Sequence, residues 1–579
     1  MKSSATTIRT FASLFAVSVA ISAHSQGLAQ TTGQTRNDLE LPDTDDPARP
    51  SLDVRVERDG ALRPPCPFEQ SELTVSLSAV DFRDARGTEL APELSQSLSR
   101  VELPTGTRPL RVVCDIRDAA NQALREDGWI ATIQVPQQDL ESTLRLDVIS
   151  ARISEIRISG DPGPYRNRLT DILQPLQELD PLNERDAERI LLNANDIPGL
   201  SLRLALAPAG GEPGEVIGNL SVDFERYTAF LNARNYNAKA IGRETGFARF
   251  EVYGLTGLED ASYIAGQTTA DFNEQFIVQG GHEFGLGLGD IRIAADVAYA
   301  LSRPDIENLD LETDTLIASL RATYPLIRTP RMIANASLGF DYVEQSTDVL
   351  GNPLSKDAIR TVYLRSEIAG EKRRIDGSIA LAYEGFAEVR QGLGILGATE
   401  IGQFGTAVTD GTTASRPFGN ADALVLRAAG ELNWFPGSIL NLRGRVEAQW
   451  TDDPLLNYDE YSIGNLSIGR GYDPGANSGD RAIGGLAEVG ATVFRSLEAQ
   501  ASIFGFFDIV QVENLDRGTP DPRRTLKSVG GGVRFSLGDG LRAEVAYAEP
   551  LDRALFTDDE RPPARVLFSI TTKFPALFR

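Results

Sequence analysis

From residue 228 onward the chain keeps returning to one pattern. Short segments alternate strictly between apolar and polar side chains, and polar or Gly/Pro/Asp-rich breaks separate them. Ile291, Ile293, Ala295, Val297, Tyr299 and Leu301 share one face. Leu440, Leu442, Val446, Ala448 and Trp450 oppose Asn441, Arg443, Arg445, Glu447 and Gln449. Leu541, Ala543, Val545 and Tyr547 oppose Arg542 and Glu544, and Val566, Phe568, Ile570 and Phe574 oppose Ser569, Thr571 and Lys573. A period of two predicts strands with one apolar and one wet face. Each segment is long enough to cross a bilayer when tilted. A soluble sandwich would alternate in the same way, so length and count decide. Roughly 350 residues at about 22 per strand and connection give about sixteen antiparallel strands. Lipid forbids an open edge, so the expected form is a closed transmembrane β-barrel with an aqueous lumen, its inner charges unpaired and wet. Trp434, Phe435, Trp450 and Phe574 suit interfacial aromatic girdles.

Upstream the spacing is different. In 66–151, Leu73, Val75, Leu77, Val80 and Phe82 predict a strand, and Pro92–Val101 a short helix. Val113, Ile116, Ala120 and Leu124 repeat at helical spacing, and two alternating strands follow. In 152–227 the order recurs: a strand through Ile153, Ile156 and Ile158, a helix through Leu169, Ile172, Leu173 and Leu176, a second helix, and two strands. Asn183 with Asp186 three residues on is close to a capping box for that second helix. The expectation is two successive β-α-α-β-β modules. Residues 26–65, rich in Thr, Asp, Pro and Arg, predict a flexible acidic leader without an amphipathic helix. Residues 1–25 have the basic, apolar and small-residue zones of a secretory signal peptide.

Composition narrows the functional classes. The 579 residues carry 82 acidic against 57 basic side chains, a net charge of −25, which argues against nucleic acid as a partner. No apolar run after the first residues is long enough for a membrane helix. There are only two histidines, His24 in the expected signal peptide, which would be removed, and His282 inside a strand-like run, so a histidine base or a histidine-rich metal site is hard to build. Gly285, Gly287 and Gly289 lack phosphate-loop spacing and read as small residues in a strand. No catalytic residue, metal site or cofactor is expected. Cys66 and Cys114 form a candidate disulfide for an oxidising compartment, the alternative being two buried thiols.

One long loop carries a further signal. Tyr461 through Gly475 includes Arg470-Gly471-Tyr472, Gly479-Asp480 follows, and Phe506-Phe507-Asp508 stands on a later strand. These residues resemble the motifs of the two-partner secretion transporters (TpsB, of haemolysin secretion/activation type), within the superfamily that includes BamA and TamA. Gln134–Asp139 with Leu144–Val148, Leu191–Gly199 and Tyr324–Arg328 resemble other stretches of the family, so the likeness spans most of the chain. There are departures: Gly469 replaces a valine before Arg470, Gly464-Asn465 replaces a glycine pair, and the chain ends Phe574-Pro-Ala-Leu-Phe-Arg579.

The resemblance implies that the modules are periplasmic POTRA (polypeptide-transport-associated) domains and that 228–579 is the outer-membrane barrel. It implies export of one large exoprotein, recognised at module strand edges, with candidate edges in Leu200–Leu206 and Gly218–Phe224. It also implies that the loop folds into the lumen and that Arg470 pairs with Asp508. The runner-up is a BamA/TamA-like barrel-assembly factor. A passive pore leaves the modules unexplained, and a hydrolase lacks a base.

Overall fold

The computed structural model describes residues 34–39, 41, 66–104, 106–139, 142–286, 291–306, 309–374, 376–400, 412–464, 468–538 and 540–575. The signal-peptide segment, most of the leader, Gly287, Gly289, Asn465 and the last four residues lie outside them. Two compact units form: residues 47–226 with 328–330, and residues 1–46, 227–327 and 331–579.

The first of these units contains two modules. One comprises β1 (Thr74–Ser76), β2 (Ala79–Asp84), α1 (Pro92–Leu98), β3 (Thr107–Pro109), α2 (Val112–Glu126), β4 (Ala131–Gln134) and β5 (Thr143–Ser150). The other comprises β6 (Arg152–Gly160), α3 (Arg166–Gln177), α4 (Glu184–Asn195), β7 (Leu200–Pro208) and β8 (Glu215–Phe224). In each module the last strand sits in the centre of a three-stranded sheet, ordered β2-β5-β4 and β6-β8-β7. The first strand runs parallel to it. A parallel pair needs a long crossover, and the two helices supply it. Val113, Ile116, Ala120 and Leu124 of α2 pack on Leu144, Leu146 and Val148, while Leu169, Leu173 and Leu176 of α3 pack on Leu220 and Val222.

Three details differ from the sequence reading. Gly218–Phe224 is not an edge, because β8 is bonded on both sides; the free edges of that sheet are β6 and β7. The short β3 pairs with β1 in a separate ribbon that three residues of sequence could not announce. Asn183 does cap α4, accepting from the Arg185 N–H at 2.9 Å, but Asp186 turns to Arg189 (3.4 Å) instead of reaching back. The Asn183 amide also donates to the Asp127 carbonyl (3.1 Å), tying the modules together. Cys66 and Cys114 are bonded, closing a loop of 48 residues over α2.

The other unit is a closed sixteen-stranded barrel. Its strands are β9 (Tyr227–Arg234), β10 (Thr245–Tyr253), β11 (Ala261–Thr269), β12 (Gln275–Leu286), β13 (Ile291–Ser302), β14 (Leu311–Thr329), β15 (Met332–Val349), β16 (Asn352–Arg373) and β17 (Ile379–Gly392). The circuit continues through β18 (Leu424–Trp434) and β19 (Leu440–Thr451), and resumes at β22 (Arg481–Arg495), β23 (Ala499–Glu513), β24 (Arg523–Leu537), β25 (Leu541–Pro550) and β26 (Arg565–Pro575). Between β19 and β22 the chain leaves the wall and forms a small ribbon, β20 (Tyr461–Ser462) with β21 (Ser478–Gly479). Neighbouring barrel strands are antiparallel, and β26 closes on β9 with Ser569 opposite Arg234 and Pro575 opposite Thr228. Strand length is uneven: β9 has 8 residues and β16 has 22.

The alternation sorts as expected. Leu440, Val446 and Trp450 are exposed on the outer wall, while Glu447 and Gln449 are buried within. The inner charges, however, are not left to water. Arg443 Nε and Nη2 each lie 2.8 Å from the Glu431 carboxylate, and Arg445 Nε lies 2.7 Å from Glu447. The register sets Glu431 of β18 opposite Arg445 and two positions along from Arg443, on the same face, so the strand pairing itself brings the charges together. His282 is on the outer wall, its Nδ1 2.8 Å from Ser262 Oγ.

Val446, midway along β19, is 56% exposed on the wall face. Val446→Arg should cost about 2–4 kcal/mol of barrel stability in lipid, read as loss of the compact, heat-modifiable species on refolding into vesicles. Replacing both Cys66 and Cys114 by Ser should lower the stability of the modular unit by about 4 kcal/mol, read from its urea midpoint in the non-reduced protein.

Candidate gate inside the barrel

The stretch 452–480 leaves the rim at which β19 ends and folds back into the bore. Apolar side chains fix it there. Tyr461, Ile463, Ile468 and Tyr472 pack against Ala482, Leu486, Val510, Val512 and Leu526 of the wall. The Tyr461 hydroxyl donates to Glu447 at 2.8 Å, and that of Tyr472 donates to the Lys527 carbonyl at 2.9 Å. This lid is therefore a packed element of the lumen.

Arg470 is 6% exposed. Its backbone N–H donates to Asp508 Oδ2 (3.0 Å), its Nε to the same oxygen (3.2 Å) and its Nη2 to Oδ1 (2.9 Å). The remaining nitrogen, Nη1, donates to Glu488 Oε2 at 3.1 Å. The guanidinium carbon sits 3.5 Å from the centre of the Phe506 ring, close enough for cation–π attraction. Asp508 is fully buried and also accepts from Ser528 Oγ (3.2 Å). Glu488 is shared with Arg534, whose Nη2 lies 3.1 Å away. A planar fork on a buried carboxylate, with a second carboxylate on the remaining nitrogen, is a geometry that lysine could not reproduce.

Two glycines make this approach possible. Gly469 has φ +87°, so the valine expected before Arg470 would be strained there. A Cβ on Gly471 would lie 2.8 Å from Ser528 Cβ and 2.9 Å from Pro550 N, so only glycine lets the loop backbone touch the wall. Further along, Gly479 runs close to the Glu513 backbone, and Asp480 is buried. Asp480 accepts from the Leu455 N–H (2.7 Å), the Leu515 N–H (2.6 Å) and Arg416 Nη1 (2.5 Å).

Three partners were missed in the sequence. Glu488 is the one acid on a face otherwise carrying Ala482, Gly484, Leu486 and Gly490, a weak but readable signal. Arg416 lies in a loop with no pattern. The third is the leader. Arg36–Leu39 forms a single 3-10 turn inside the barrel, although the leader showed no amphipathic stripe. Its Thr35 N–H donates to Asp38 at 3.0 Å, a local turn that needs no helical periodicity. Arg36 pairs with Asp459 (2.9 Å), and Ser462 Oγ donates to Asp38 Oδ1 (3.1 Å). Leu39 packs with Ile277, Val343, Ile359, Leu456 and Tyr458. Burial pushes the Asp38 carboxyl above its usual range. The leader and the lid thus hold each other.

A cavity lies beneath the lid. It measures about 200 Å³ and is lined by Tyr236, Arg443, Gly464, Arg470, Arg534, Glu544, Arg565 and Leu567. That cavity would hold waters but not a stretch of polypeptide. Among the described residues, the lid and the leader turn both occupy the bore. Among the described residues no cluster of His, Cys, Asp and Glu could hold a metal ion.

The family of haemolysin secretion/activation proteins ShlB/FhaC/HecB matches residues 221–535, more than half of the chain. Among curated proteins none matches its sequence. Among solved structures, CdiB from Escherichia coli superposes with a TM-score of 0.64 at 16% identity, covering 96% of this chain and 98% of that one. CdiB from Acinetobacter baumannii gives 0.57 at 14% identity, with 97% and 98% covered. BamA from Haemophilus ducreyi lacking POTRA domains 1–3 gives 0.52 at 12% identity, with 87% and 100% covered. At these identities the superpositions establish the fold.

Arg470→Ala would leave Asp508 and Glu488 buried without their fork. The lid should lose about 3–5 kcal/mol of its hold on the wall, seen as faster cleavage of 452–480 by added protease while the barrel stays folded. Arg470→Lys should lie between the two.

Proposed function

The chain belongs to the haemolysin secretion/activation protein family (ShlB/FhaC/HecB), whose members are outer-membrane secretion transporters; from that premise we propose that it exports one large secreted partner, a TpsA-like exoprotein, to the cell surface. The observation that carries this reading is the lid. A bore closed by a packed loop, held through one buried guanidinium on Asp508 and Glu488, is a passage built to be reopened.

In this reading residues 1–25 are a signal peptide, and the modules at 66–151 and 152–227 are POTRA domains standing in the periplasm. The unfolded exoprotein adds as a strand to a free sheet edge. β6 and β7 are the edges that fit in the second module, β2 and β4 in the first. Main-chain hydrogen bonds there give affinity without demanding one sequence. The chain then threads the barrel once the lid and the leader have moved aside. Arg470 keeps the resting pore closed, Asp508 and Phe506 anchor it, and Gly471 and Tyr472 seat the loop against the wall. Folding of the exoprotein outside biases the passage, so the step draws on no nucleotide.

Deleting the protein and comparing secreted proteomes tests the assignment. Loss of one large exoprotein is the expected result. Broad loss of outer-membrane barrels would instead assign the chain to assembly, the BamA-like role. Arg470→Ala should insert at wild-type levels yet cut export; wild-type export by that variant would remove the lid from the mechanism.

A further inference from the structure

The lid is fastened at a second place, and the chemistry there differs from that around Arg470. Arg416, on the loop between β17 and β18, is 5% exposed. Its Nη1 lies 2.5 Å from Asp480 Oδ1 and 2.9 Å from Glu460 Oε1. Its Nη2 lies 2.9 Å from Asp516 Oδ2 and donates to Asn514 Oδ1 at 3.1 Å. Arg416 Nη1 also reaches the Leu455 carbonyl at 2.6 Å. One guanidinium thus gathers the β17–β18 loop, both feet of the lid and the β23–β24 loop.

The charges do not balance. Around Arg470, two arginines face Asp508 and Glu488, with Glu544 on the far side of Arg534. Around Arg416, among the described residues, one arginine faces three carboxylates. The next charges do not help. Arg36 of the leader is taken by Asp459, and Asp357 of β16 adds another acid, held by Ser415. Asp38 of the leader, held by Ser462 and Thr35, is a further one. Burying a carboxylate without a counter-charge is costly, and the least expensive remedy is a proton. Glu460 is placed to take it. Asp480 spends its oxygens on four N–H donors, whereas among the described residues Glu460 receives only Arg416 and the Ser478 hydroxyl (2.9 Å).

We propose that Arg416 with Glu460, Asp480 and Asp516 forms a second bolt on the lid, one that external protons tighten and their departure loosens. Burial pushes the Glu460 carboxyl up to about 7, against about 4.3 for a glutamate in water. The closed lid therefore binds this proton more tightly than a lid swung into water. Its contribution to closure is complete below about pH 4 and is lost as pH rises through about 7. Arg416 and Glu460 are positioning residues for the gate. The inference rests on the secretion-channel reading only in that the lid must move.

The test is the conductance of the purified full-length protein in planar lipid bilayers, with the pH of the lid side set to about 5 or about 8. The wild-type open fraction should rise at least tenfold, roughly, from the lower to the higher value. Glu460→Gln, neutral at every pH and nearly isosteric, should lose most of that response and stay near the low-pH level. Arg416→Gln should open more often at both values. A full wild-type pH response from Glu460→Gln, or unchanged opening in Arg416→Gln, would overturn the bolt while leaving the channel intact. A wild-type protein that conducts at neither pH would overturn the channel reading instead, and the bolt with it.

Discussion

Everything in the larger unit follows from the demand of lipid that no backbone N–H or C=O be left bare. Each unsatisfied group in hydrocarbon costs several kcal/mol. A sheet meets that demand only by closing, and here closure rests on the short register between β9 and β26. Once the ring is shut, the period of two assigns every side chain. One set faces lipid and must be apolar. The other faces a bore and is free to be charged. The cross-strand pairing of Arg443 with Glu431 is the same constraint seen from inside: register that satisfies the backbone also positions the charges.

A bore wide enough for a polypeptide must be stopped when idle, and the stopper cannot be apolar throughout, or it would never come out. The lid solves this by mixing a modest apolar contact, around Ile463, Ile468 and Tyr472, with ion pairs on the wall. Buried ion pairs contribute little net stability, because desolvation offsets much of the attraction. They are nevertheless exacting about geometry. The closed state is thereby unique without being deep, which suits an element that has to leave its seat. The leader turn at Arg36–Leu39 adds to this by bonding the lid and not only the wall, so the two obstructions are not independent.

The barrel was legible because its code is strict. Two-residue periodicity survives in sequence whatever the loops do, and even the strand number followed from length. The modules were legible through helical spacing at Val113, Ile116, Ala120 and Leu124. Their sheet order was not, since nothing in Gly218–Phe224 says whether that strand has one neighbour or two. The Arg470–Asp508 contact could be named only through resemblance to a family, because a loop arginine carries no pattern of its own. Arg416 and the leader turn stayed hidden for the same reason. Their partners lie between 39 and 424 residues away in the chain, and only the closed ring brings them together.

The uneven strands have a consequence for the surrounding bilayer. Tilted in the usual way, the eight residues of β9 rise only about 19 Å, less than the apolar band of about 25 Å that such barrels present. The wall is lowest along the line where the sheet joins itself, and highest across the ring at β15 and β16. Lipids flanking that join must compress to match it, at a fraction of a kcal/mol per ångström of mismatch. A dent in the bilayer would therefore follow the seam, beside the strand pair that closes the ring.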